Sequence, residues 1–229
     1  MKAKNDHLRV LFVRGLWHEY SGVDEALGQI PGVEVVDSWY DESDTGSSLL
    51  NFPPDYDTML GFDVVVLANV DGGALGLVGQ EMLADFVQAG GGLLVIGGDR
   101  TYGQAHFENR SFLKLLPVEI GATSDWHRLP QPVPLSIGGS DATSGVAFDA
   151  NTVVLYQHNL QPLASATVAV KAGDAAAVVL QQNGAGRTAA SLLLPFGEPS
   201  AGKTGYWESP QWFTTMRNTL QWLGSGETN

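Results

Sequence analysis

The first half of the chain alternates short, unbroken apolar runs with stretches whose apolar residues recur at helical spacing. Leu8 to Val13, Val33 to Ser38, Asp63 to Asn69 and Leu93 to Ile96 read as strands. Between them, Val23, Ala26, Leu27 and Ile30 share one helical face before Pro31-Gly32 stops it. Val78, Met82, Leu83, Phe86 and Val87 mark a second helix, ended by Gly90. Strands that are apolar throughout, rather than at every second position, fit a sheet covered on both faces. The pattern predicts Leu8–Val13, Val64–Leu67 and Leu93–Ile96 as adjacent parallel strands at the centre of one sheet. Strand–helix alternation of this kind implies an α/β, doubly wound, mainly parallel sheet with helices on both faces. Asp41 to Asp57 is polar and broken by Pro and Gly, the composition of a surface loop.

The second half changes texture. From Trp126 to about Asp174 the chain is richer in Pro and Gly, with short β-like runs at Val133–Ile137, Val153–Tyr156 and Ala166–Val170. This stretch, residues 126–174, reads as a β-rich excursion packed on the main sheet, without the apolar mass to stand alone. Ala177 to Leu180 and Thr188 to Phe196, joined through Asn183-Gly184, form a hairpin-like pair. Ser209 and Pro210 open a last helix whose buried stripe is Trp212, Phe213, Met216, Leu220 and Leu223, with Gly224 at its end. The expected organisation is a single domain over residues 1–229.

Composition narrows the class of partner. Lys and Arg number 12 against 25 Asp and Glu, a net charge of −13, which repels a phosphate backbone. Nucleic acid is therefore not an expected partner, and neither is a membrane, since no apolar run reaches roughly 18 residues. Lys2 and Lys4 are followed by Asn5, Asp6 and His7, and Val10 to Val13 is too short for a signal segment. The expectation is a cytoplasmic protein, monomeric or homo-oligomeric, whose partner is a small polar molecule. There is no Cys, so thiolate chemistry, disulfides and thiolate metal sites are excluded.

In a doubly wound sheet, ligands bind beyond the carboxyl ends of the strands. Those ends carry Arg14 to His18, Asn69 to Gly73, and Gly97 to Tyr102. The turn after Ile96 is the most suggestive, because Gly97 and Gly98 form the kind of sharp bend that presents a nucleophile. The bend carries Asp99 where a Ser or Cys would sit. Its glycines equally suit plain backbone needs, either positive φ or close packing. Asp71 is either part of a neighbouring anion-stabilising loop or simply the cap of a helix. Trp17, His18, Asn69, Asp71, Gly72, Gly98, Asp99, Arg100, Tyr102 and Trp207 are the expected lining of one crevice, with Arg100 the expected neighbour of Asp99. His106, His127 and His158 show no ligand spacing, and no nucleotide-binding glycine motif is present. No metal or cofactor is expected.

Several of these segments together resemble the class I glutamine amidotransferase-like family and its trehalose-utilisation (ThuA-like) relatives. They are Val10–Phe12 with Trp17-His18, Asp63–Leu67, Phe86–Gly98 with Tyr102-Gly103, Leu115-Leu116-Pro117-Val118, Gly184–Arg187, and Trp207 through Trp222. The resemblance implies a flavodoxin-like three-layer domain. It also implies a Cys on the elbow and a His-Glu pair after a late strand. Here the elbow position matches Asp99, and Gly197-Glu198-Pro199 stands where the His is expected. Without a thiolate and its base, hydrolysis of glutamine through a thioester has no route. Two readings remain open. One is a non-catalytic domain that binds a small molecule or acts as a scaffold. The other is a hydrolase or other enzyme using Asp99 and His18 as acid and base on a sugar-like or carboxylate substrate.

Overall fold

The computed structural model describes residues 7–43, 46–121 and 124–225. Lys2 to Asp6, and Asp44 with Thr45 inside the 41–57 stretch, lie outside the described residues. The strands, in chain order, are β1 (Arg9–Arg14), β2 (Glu34–Ser43), β3 (Gly46–Leu50), β4 (Val64–Ala68), β5 (Gly92–Ile96), β6 (Val118–Glu119) and β7 (Trp126–Ile137). They continue with β8 (Thr152–His158), β9 (Gln161–Pro162), β10 (Thr167–Ala172), β11 (Ala175–Asn183), β12 (Gly186–Ser191), β13 (Leu193–Leu194) and β14 (Thr204–Gly205). The helices are α1 (Val23–Leu27), α2 (Tyr56–Met59), α3 (Gly72–Gln88), α4 (Arg110–Leu113) and α5 (Pro210–Gly224).

One 12-stranded sheet dominates the fold. The three apolar runs expected at its centre are there: β1, β4 and β5 are adjacent and parallel, with Leu11 beside Val65 and Val66 beside Leu94. β2 and β12 flank them, also parallel. Because side chains alternate across a strand, each of these runs feeds two cores at once. Val10, Phe12, Val64, Val66 and Leu94 pack with α1 and with Trp212, Met216 and Leu220 of α5. Leu11, Val13, Val65, Leu67 and Leu93 pack with Met82, Leu83, Phe86 and Val87 of α3. That double burial is why the strands read as unbroken Val and Leu.

The sheet as a whole is mixed, not mainly parallel. β3 turns back on β2, β11, β10 and β7 are each antiparallel to their neighbours, and β8 is antiparallel to β7 and β13 but parallel to β14. The β-rich stretch 126–174 is likewise not a layer packed on the sheet but its direct continuation, in the order β12-β11-β10-β7-β8-β13. β13 follows β12 after a single residue, Leu192. The far end of the sheet therefore curls round until β8 meets the prolongation of β12. The 41–57 stretch is not a loop either: it contains the end of β2, the whole of β3 and the start of α2. Ser47 and Ser48 hid that strand from an apolar count, and α2 is four residues long with Asp55 as its cap.

Candidate functional site at the strand ends

The carboxyl ends of β1, β4 and β5 come together around Asn69. Its side-chain Nδ2 donates to the Leu16 carbonyl and to Asp99 Oδ1, both at 2.9 Å. Its Oδ1 accepts the Arg100 backbone N–H at 2.7 Å and the Thr101 hydroxyl at 3.4 Å. One amide thus ties three loops. Asn69 holds a left-handed φ of 52°, which an Asn tolerates better than most side chains. Trp17, Tyr102 and His106, in the surrounding loops, are also left-handed. Residues held this way persist where neighbouring bonds over-determine them.

The two elbow glycines serve close approach, not positive φ. A Cβ on Gly98 would fall inside the Asn69 amide, and one on Gly97 would lie 2.9 Å from His158 Cδ2 and from two carbonyl oxygens. Asp71 is the cap of α3: its Oδ1 accepts the Ala74 N–H at 2.7 Å and the Ser47 hydroxyl at 2.9 Å. Its Oδ2 takes the Tyr40 hydroxyl at 2.7 Å. Burial and this carboxylate push the Tyr40 hydroxyl up to about 12. Gly72 opens α3 directly beneath the backbone carbonyls of Ala105 and His106.

The expected lining residues do not form one crevice. Trp17, His18, Asn69 and Gly98 line a cleft closed by Pro195, Phe196 and Tyr206, with a volume of about 10 Å³. That is room for about one water. Asp71, Asp99 and Arg100 instead face a groove of about 450 Å³ together with Gly73, Gln104 and His106. Tyr102 joins neither. It is fully buried, and its hydroxyl donates to the Val95 and Ser191 carbonyls. Trp207 also stays away, packed edge-on against Tyr206. Arg100 does not pair with Asp99: its guanidinium reaches Glu42 at 3.0 Å, and the Asp99 partner is neutral Asn69. His18 sits between Phe12 and Trp39 with Arg14 at 3.4 Å. Burial first, and then the Arg14 charge, hold its ring below the ordinary histidine range.

A buried acid–imidazole pair that sequence reasoning missed lies behind the elbow. His158 Nδ1 is 2.7 Å from Asp125 Oδ1, and Asp125 Oδ2 accepts the Gly103 N–H. Tyr102 packs edge-on against the ring and Gly97 lies along its Cδ2 edge. Such a pair fixes the tautomer and orientation of an imidazole. Here both side chains are out of solvent, and through Gly103 and Gly97 the pair braces the turn. The two residues stand 33 positions apart on different strands or their approaches, and no local motif joins them. Among the described residues, no group of three or more His, Asp or Glu is placed to hold a metal ion. No helix there is long and apolar enough to cross a membrane. A concavity of about 510 Å³ borders the buried pair through Asp125, with Glu119, Trp126, His127 and Gln161 also in its lining.

No family model matches the sequence, and no curated protein does. Solved structures share its fold. A cytoplasmic protein from Salmonella typhimurium is 18% identical with a TM-score of 0.75, over 94% of this chain and 99% of that one. A second cytoplasmic protein, from Salmonella typhimurium LT2, is 15% identical with the same score and the same coverage. A protein described as ThuA-like, from Parabacteroides merdae, is 12% identical with a TM-score of 0.63, over 97% of this chain and 91% of that one. At these identities the likeness is one of fold.

Proposed function

We propose that the chain is a non-catalytic class I glutamine amidotransferase-like domain, serving as a scaffold or as the binder of a small polar molecule. Its parallel strands run in the order β2-β1-β4-β5-β12, which matches the flavodoxin-like order and supports a doubly wound ancestry. The ThuA-like neighbour supports the same lineage. The observation that carries the reading is the state of the elbow. Asp99, in the nucleophile's place, is bonded to Asn69 within a network that spans three loops, beside a cleft of about 10 Å³. The roomier groove between Asp71, Asp99, Arg100 and His106 is the proposed ligand site. A cytoplasmic location is proposed from the two Salmonella neighbours.

The enzymatic alternative, with Asp99 and His18 as acid and base, has one observation in its favour. The lowered His18 ring is neutral near pH 7 and so available as a base. Against it, His18 contacts Arg14, Phe12 and Trp39, whereas Asp99 is held by Asn69, so no bond joins the two. Ammonia release from glutamine tests the proposal. Wild type, Asp99→Ala and a heat-denatured control are expected to give the same background. Release above that control, lost in Asp99→Ala, would overturn the non-catalytic reading.

A further inference from the structure

We propose that β3 is a self-association edge, and that its partner is a second copy of this chain, paired antiparallel about a two-fold axis at Ser48. The sheet has an asymmetric plan. Its far end curls until β8 meets β13, whereas its near end stops at β3 with no strand outside it among the described residues. An unpaired strand edge is a ready template for another chain, and proteins that must stay apart blunt such edges with charge or proline. The one-sided part of β7 is blunted in this way: it carries His127, Arg128, Pro130 and Pro132, with β10 beside it only at Leu135–Ile137. β3 reads Gly-Ser-Ser-Leu-Leu, with neither.

The alternation along β3 fits a copy of itself. Ser47 turns inward to the Asp71 cap, and Leu49 packs on the α3 core. Gly46, Ser48 and Leu50 face outward. A two-fold axis at Ser48 sets Ser48 against its own equivalent and each Leu50 against the partner's Gly46, which has no side chain to displace. Leu50 is 55% exposed, and Trp39, its cross-strand neighbour, is 47% exposed, so the pairing would cover apolar surface that is now bare. Such a patch-on-itself contact closes after two copies.

The residues of β3 itself add no charge to the contact. Two molecules of charge −13 repel, and β3 lets them meet without placing carboxylates face to face. Asp41 and Glu42 lie one strand back, paired with Ser48 and Ser47, so salt that screens them strengthens the contact. A five-residue ladder with two apolar side chains falls short of a standard interface of about 1,600 Å², so the dimer is weak, on the order of tens of micromolar.

Sedimentation velocity from about 5 to 500 μM protein, in low and high salt, tests the proposal at concentrations bracketing that affinity. Wild type is expected to shift from monomer to a species of twice the mass as concentration rises, and further with salt. Ser48→Lys and Ser48→Glu, at an exposed position, each keep the native circular dichroism and stay monomeric. Mixed in equal amounts they dimerise again, because opposite charges then meet at the axis. Wild type that stays monomeric throughout overturns the proposal. So does Ser48→Lys that associates like wild type, or a mixture that remains monomeric.

Discussion

Asp71 shows how much a single carboxylate organises here. It takes a backbone N–H from the first turn of α3, a hydroxyl from β3 and a phenol from β2. The phenol reports on the arrangement. Burial and then the Asp71 bond raise Tyr40 to about 12, so the folded chain holds that proton more tightly than the unfolded one does. The resulting stability is fully present below the unfolded value near 10 and is lost as pH rises through about 12. In Asp71→Asn the capping and hydroxyl contacts lose their charge, and the Tyr40 midpoint should fall toward 10. Ultraviolet titration of tyrosinate, with Tyr40→Phe to assign the signal, measures this. An unchanged midpoint would mean that the carboxylate does not hold the phenol. Asp71→Ala, which leaves the cap and two hydroxyls unpaired, should also cost about 1–3 kcal/mol in urea unfolding.

Element by element, what the sequence revealed depended on burial. β1, β4 and β5 are covered on both faces, so their side chains are apolar at every position and their runs stand out. α5 is legible because Pro210 sits in its first turn and its buried residues fall on one stripe. β3 is half exposed and built on Ser47 and Ser48, a composition shared with loops. The site followed the same logic. Asn69, Asp71 and Gly98 sit at strand ends, where sequence order fixes their place, whereas the Asp125–His158 contact depends on how distant strands curl together. That the strand ends would split into a tight cleft and a separate groove was not legible, because loop packing decides it. α5 carries a prediction of its own. Trp212 is fully buried, donates from Nε1 to the Ser21 carbonyl at 2.8 Å, and packs against Gly22 and Tyr206. Trp212→Phe keeps an aromatic ring but orphans that carbonyl, and should cost about 1–3 kcal/mol. Trp212→Ala adds a cavity and should cost about 3–5 kcal/mol. Equal midpoints for the two variants in denaturant would show that ring volume, not the hydrogen bond, is irrelevant to how α5 is held, contrary to this packing.

At the scale of the molecule, the continuous sheet decides how the chain comes apart. Val154 of β8, Val170 of β10 and Val178 of β11 share one core with Val10 and Phe12 of β1 and with Trp212 of α5. Leu192, between β12 and β13, accepts the His158 N–H and donates to the Ala177 carbonyl, so the curled end is sewn to the central strands. A separate unit spanning 126–174 would have to leave that core without disturbing it, and the shared residues argue against this. Unfolding should therefore be one cooperative event, with calorimetric and van't Hoff enthalpies in agreement. Val170→Ala makes the test sharper. Val170 is fully buried at the far end of the sheet, and losing two methyl groups there should cost about 1–3 kcal/mol. The change should lower the melting midpoint equally for far-ultraviolet circular dichroism, which reports the whole backbone, and for the fluorescence of Trp212, buried against α1 and isolated by replacing the other five tryptophans with Phe. Two resolved transitions, or a midpoint that moves for one probe and not for the other, would show that the β-rich half melts on its own.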